Sequence, residues 1–138
     1  MNKKVLKSFI EENNLKKIYE LDLKMQEKVF KFYELCYQNN IKFDIASGLR
    51  TYEEQKELYD KYAHIYGNDK ISLPGTSEHE NGMAIDITID NNLSNNEKYT
   101  KAGLLWQQLG GSWGGNTIDE YWHFELDETH SLSTKQKE

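Results

Sequence analysis

A chain of 138 residues, 37% hydrophobic and 12% aromatic, is long enough for one domain with its own core. Its net charge of −6 argues against a nucleic-acid partner, which needs a basic surface. No stretch approaches membrane-spanning length, and the basic start MNKKVLKSFIEENN lacks the apolar run of a secretory signal, so the chain is expected to stay in the compartment that makes it. The single cysteine, Cys36, has no internal partner and reads as a small buried hydrophobe in a helical pattern.

In chain order, LDLKMQEKVFKFYELCYQNN spaces Leu23, Val29, Phe30, Phe32, Tyr33 and Cys36 by threes and fours, an amphipathic helix stopped by Asn39 and Asn40. IKFDIAS alternates Ile41, Phe43 and Ile45 with polar neighbours and reads as a short strand. TYEEQKELYDKYAHIYG opens on a Thr N-cap, places acids in its first turn and ends at Gly67, a second helix. A loop runs from Asn68 to Gly75; GMAIDITID is a strand; NNLSNNEKY is turn-rich; TKAGLLWQQLGG is a short helix closed by glycines; EYWHFEL is a final strand. Helices and strands do not alternate regularly, which predicts an α+β fold with a small antiparallel sheet packed against helices. One domain is expected over 1–138, with its core at about 20–127 and a flexible tail from about Thr129.

Two strands carry chemistry. Met83, Ile85, Ile87 and Ile89 share one face, leaving Ala84, Asp86 and Thr88 on the other; Trp122, Phe124 and Leu126 oppose Tyr121, His123 and Glu125. If both apolar faces cover one core, Asp86 and His123 converge on the polar face of one sheet, and His79 enters from the loop before the first strand. Two imidazoles and a carboxylate suit Zn²⁺ with a fourth position open for water. The same residues also fit ordinary hydrogen-bonded strand positions, and spacing alone does not decide. Glu125 shares the His123 face, as a ligand or as an outer partner. Glu120 lies three residues before His123, so it reaches a metal-bound water only from a turn, which the glycines at 110, 111, 114 and 115 permit. Glu78 and Glu80 read as solvated loop charges, and His64 and His130 as ordinary histidines.

Three segments, SGLRTYEEQKELY, PGTSEHENGMAIDI and EYWHFEL, together resemble the LAS-type zinc peptidoglycan peptidases. That group holds the D-alanyl-D-alanine carboxypeptidases, the vancomycin-resistance D,D-peptidases, the L-alanyl-D-glutamate endolysins and, by fold, the hedgehog signalling domain. Its pattern of Ser-x-His, Gly-x-Ala-x-Asp and Glu/Asp-x-x-His is met by Ser77, His79, Gly82, Ala84, Asp86, Glu120 and His123 in order and spacing. The resemblance covers roughly residues 20 to 127. It implies a hedgehog/D,D-peptidase-like fold and one zinc ion held by His79, Asp86 and His123. It also implies Glu120 as catalytic base, Arg50 as a catalytic and substrate-contacting residue, and Gln55 and Ser77 as substrate contacts.

The implied function is hydrolysis of peptidoglycan stem peptides, foremost as a D-alanyl-D-alanine carboxypeptidase or dipeptidase. LGGSWGGN departs toward the endolysin branch, so a phage-type L-alanyl-D-glutamate endolysin, released to the wall by a holin, stands as the alternative. A non-catalytic binding module on the same fold is a further one. The expected partner is peptidoglycan or its precursor peptides, with no nucleic acid and no membrane span, and the chain is expected to be a monomer.

Overall fold

The computed structural model describes residues 1–66, 71–92, 96–117 and 120–126. Two short helices, α1 (Lys3–Ser8) and α2 (Glu12–Tyr19), precede the long helix α3 (Leu23–Gln38), which starts where the Asp22 carboxylate accepts from Lys24 N–H. Strand β1 (Phe43–Ser47) follows, then α4 (Tyr52–Tyr66). Thr51 and Glu54 begin α4 with a reciprocal cap: Thr51 Oγ1 accepts from Glu54 N–H, and Glu54 Oε1 accepts from Thr51 N–H. A 3₁₀ turn (Glu78–Asn81) leads into β2 (Ala84–Ile89), then α5 (Asn96–Gln108), β3 (Ser112–Trp113), α6 (Gly114–Thr117) and β4 (His123–Glu125).

The strands form one antiparallel sheet in the order β1-β2-β4-β3. Alternation sets its two faces. Ile85, Ile87 and Ile89 of β2, Phe43 and Ile45 of β1 and Phe124 of β4 point into the core against Met25, Val29, Phe32 and Cys36 of α3. Phe32 is the hub: its ring lies 5.0 to 5.2 Å from those of Phe43, Trp106 and Phe124. The other face is left for polar groups. Cys36 is fully buried, and burial pushes its thiol far above the usual range, as a structural cysteine requires.

The α+β class and the antiparallel sheet are as expected, while several boundaries differ. Leu23 does not join the apolar stripe; it is the first residue of α3 and 76% exposed. The run Asn96–Tyr99, expected as turn, opens α5. Tyr99 is fully buried there, and its hydroxyl accepts from Ile89 N–H and donates to the Asn92 carbonyl. Burial outweighs the polar composition of that stretch. Only His123–Glu125 of EYWHFEL is strand, because Tyr121 and Trp122 form a turn. Helices α1 and α2, strand β3 and α6 carry no signal in the sequence reading. Gly67, His130 and the tail from Thr129 lie outside the described residues. Among the described residues no helix is long and apolar enough to cross a membrane.

Candidate metal centre

The sheet register brings the site together. Asp86 of β2 and His123 of β4 are direct cross-strand partners, so their side chains leave the same face side by side. His123 Nδ1 lies 2.8 Å from Asp86 Oδ1. His79 sits in the 3₁₀ turn just before β2 and places Nε2 3.3 Å from Asp86 Oδ2. That turn is fixed at both ends. Ser77 caps it, with its Oγ accepting from His79 N–H and Glu80 reaching back to Ser77 N–H. Gly82 ends it at φ +70°, and a Cβ there would stand 2.8 Å from the backbone nitrogen of Asp22.

Each imidazole is oriented from behind. His79 Nδ1 donates to the Gly48 carbonyl at 2.9 Å. A carbonyl can only accept, so Nδ1 carries a proton, and Nε2 is the nitrogen turned toward Asp86 and left to meet a metal. His123 is reversed: Nδ1 faces Asp86, and Nε2 lies 2.6 Å from Glu125 Oε1. Burial alone would raise the Asp86 carboxyl, but His79 and His123 outweigh it and hold that carboxyl well below the usual range. Burial likewise disfavours charge on His123, yet Asp86 and Glu125 on its two sides push its pKa up.

One ligand atom from each of His79, Asp86 and His123 lies within 4.8 Å of the others. A tetrahedral ion with bonds of about 2.0–2.2 Å holds its donors roughly 3.3–3.6 Å apart, so small side-chain adjustments close the set around a metal. Once a proton leaves His123, two imidazole nitrogens and a carboxylate, with an acceptor behind each imidazole, make up the donors zinc takes in open, water-binding sites. The residues fit the group.

Arg50 stands at the edge of this set. Its Nη1 donates to Gln55 Oε1 at 2.7 Å, its Nη2 to Ser47 Oγ at 2.9 Å, and Nη2 is 3.9 Å from Asp86 Oδ2. Gln55 is 1% exposed, and its amide nitrogen donates to the Ser72 carbonyl. Burial lowers the Arg50 pKa against the opposing charges of Asp86, Glu54, Glu80 and Glu120. Glu120 lies in the chain before β4: its N–H donates to the Gly114 carbonyl, and its carbonyl accepts from His123 N–H. The glycine matters here, since a Cβ on Gly114 would stand 2.6 Å from the Glu120 carbonyl oxygen.

Two expectations are corrected. Glu78 is buried at 4% exposure and is not a solvated loop charge. Glu80 is a capping residue whose carboxylate also accepts from Gly75 N–H. The carbonyl of Gly48 was missed, because a backbone acceptor has no side-chain signature; Ser47, beside it in SGLR, was the available hint. His64 is exposed on α4 and belongs to no metal-like group among the described residues.

Comparison with known proteins gives a consistent family. The Bacillus subtilis (strain 168) protein YodJ is 30% identical over 92 residues, 54% of this chain and 34% of that protein. The D-alanyl-D-alanine carboxypeptidase of Enterococcus faecalis (strain ATCC 700802 / V583) is 26% identical over 83 residues, 51% of this chain and 31% of that protein. The match thus spans about a third of the length of either relative. Among solved structures, VanYB in complex with D-alanine-D-alanine superposes with a TM-score of 0.67 at 22% identity, covering 85% of this chain and 78% of that one. A vancomycin-resistance D,D-pentapeptidase VanY variant in complex with Zn(II) gives 0.65 at 22% identity, over 84% and 78%. The Serratia marcescens L-Ala D-Glu endopeptidase ChiX gives 0.66 at 15% identity, over 85% and 88%. These structural likenesses speak for the fold. The sequence model of the family described as VanY, D-alanyl-D-alanine carboxypeptidase, matches residues 18–114, ending before His123, which the pairing of β4 with β2 sets beside Asp86. With most of its length matched in this way, the chain belongs to the VanY D-alanyl-D-alanine carboxypeptidase family.

Proposed function

We propose that this protein is a zinc-dependent peptidase that removes the terminal residue of peptidoglycan stem peptides ending in D-Ala-D-Ala. The observation that carries this reading is the convergence of His79, Asp86 and His123 donor atoms beside the Arg50 guanidinium. Bound there, zinc supplies Lewis acidity: it polarises a carbonyl and lowers the pKa of a coordinated water toward about 7. Glu120 takes a proton from the attacking water and hands it to the leaving amine, acting first as base and then as acid. Arg50 faces the negative charge that gathers on the carbonyl oxygen, a contribution of roughly 3 kcal/mol for a preorganised donor. Gln55 acts through Arg50, since its amide is spanned between that guanidinium and the Ser72 carbonyl. The Ser77 hydroxyl, already accepting from His79 N–H, donates its own proton to the substrate.

A carboxypeptidase must bind a free terminal carboxylate close to the metal, and Arg50 and Ser77 are the donors for it. The second reading, an L-alanyl-D-glutamate endopeptidase, is favoured by the segment LGGSWGGN, which resembles that branch. It needs no terminal anchor. Paired substrates separate the two: a stem pentapeptide with free D-Ala-D-Ala, and the same peptide amidated at its C-terminus. D-Ala released from the free form alone supports the carboxypeptidase. Cleavage of the L-Ala–D-Glu bond in either peptide replaces it with the endopeptidase.

A further inference from the structure

We propose that Glu125 is a positioning residue for the metal: its carboxylate holds His123 as the Nε2–H tautomer and so presents the Nδ1 lone pair to the ion. This inference rests on the metal site proposed above. His123 and Glu125 are two apart on β4 and share its polar face. Glu125 Oε1 is 2.6 Å from His123 Nε2, across the ring from the Nδ1 that meets Asp86. A carboxylate accepts and cannot donate, so Nε2 carries a proton that Glu125 holds, and the proton Nδ1 shares with Asp86 is the one an incoming metal displaces. The imidazole stands between Glu125 and the donor set, which makes Glu125 an outer partner and not a fourth ligand.

The fold makes room for this carboxylate. Glu125 is 8% exposed, and its cross-strand partners are Ala84 on β2 and Ser112 on β3, two of the smallest side chains. Its backbone carbonyl is occupied separately, by Trp106 Nε1–H at 2.7 Å, so the main chain stays fixed whatever the side chain does. Burying a carboxylate is costly and is a poor way to gain stability. A metal on Nδ1 changes the balance, because it draws charge from the ring and makes Nε2–H a stronger donor. His79 has only a neutral carbonyl behind it. The two histidines are therefore backed unequally, and Glu125 adds a negative charge that strengthens His123 as a ligand.

The test compares full-length wild type, Glu125→Gln and Glu125→Ala by zinc competition with a chromophoric chelator, alongside nitrogen-15 NMR of the His123 ring. Outer-partner losses typically weaken a metal by about 10–100-fold. Glu125→Ala should fall in that range, and Glu125→Gln, which keeps an acceptor without the charge, should lose less. Zinc-loaded wild type should show His123 protonated at Nε2. Circular dichroism of the zinc-free proteins checks the fold; should Glu125→Ala not fold, the isosteric Glu125→Gln decides, with weaker zinc binding expected. Zinc bound as tightly in every folded variant as in wild type, or an Nδ1–H tautomer, overturns the inference while leaving the metal site in place. A wild type that binds no zinc overturns both.

Discussion

Arg50 is held at two points by its own chain, with Gln55 on one arm of the guanidinium and Ser47 on the other. Only a planar fork can meet both acceptors and still face Asp86. Arg50→Lys keeps the charge and loses the fork, so kcat/KM should drop by about tenfold or more while zinc content is unchanged. A kinetically silent Arg50→Lys, measured on the pentapeptide with free D-Ala-D-Ala, would remove Arg50 from the mechanism. Glu120 gives the complementary case. Its backbone is tied to Gly114 and His123, so Glu120→Gln should fold and bind zinc normally. With the proton carrier gone, kcat should fall by about 10²–10⁴-fold. Zinc loss in Glu120→Gln would mean that the residue serves the metal and not the proton.

At the level of elements, the sequence was most readable where period and capping agree. The Thr51 cap and the acids of the first turn announced α4, and the alternation of Ile85, Ile87 and Ile89 announced β2. What stayed hidden depends on tertiary contact. Strand β1 lies at the sheet edge, and α2 covers it: Asn14 Oδ1 accepts from Ile45 N–H and Lys17 Nζ donates to the Ile45 carbonyl, satisfying groups that would otherwise invite another strand. Neither residue reads as a strand cover in a one-dimensional pattern. The Gly82 turn lies between these extremes, since its place in the motif was visible but its reason was not. Its left-handed φ and its approach to Asp22 both exclude a side chain, and its carbonyl accepts from Asp22 N–H. Gly82→Ala should therefore cost about 1–3 kcal/mol in urea unfolding and weaken zinc by displacing His79. Wild-type stability in that variant would show that the turn relaxes without strain.

Across the whole molecule the site is a product of sheet order. Two residues 37 apart in sequence, Asp86 and His123, become cross-strand neighbours because β4 inserts between β2 and β3. The sequence could place both on a polar face. It could not show that β4 reduces to three residues, or that the Tyr121–Trp122 turn precedes them. Since the donors come from a 3₁₀ turn, from β2 and from β4, a bound ion ties together three segments that separate on unfolding. Native-state binding stabilises by about 2.7 kcal/mol when the free metal is 100-fold above its dissociation constant. Chelator-stripped protein should melt several degrees below the zinc-loaded form, and adding zinc should restore the difference. Affinity should also rise with pH through the neutral range, because the ion must displace a proton from His123, whose pKa its two carboxylate neighbours raise. Identical melting with and without zinc, across that range, would mean that the three segments are held together by the sheet alone and that His79, Asp86 and His123 do not form a metal site.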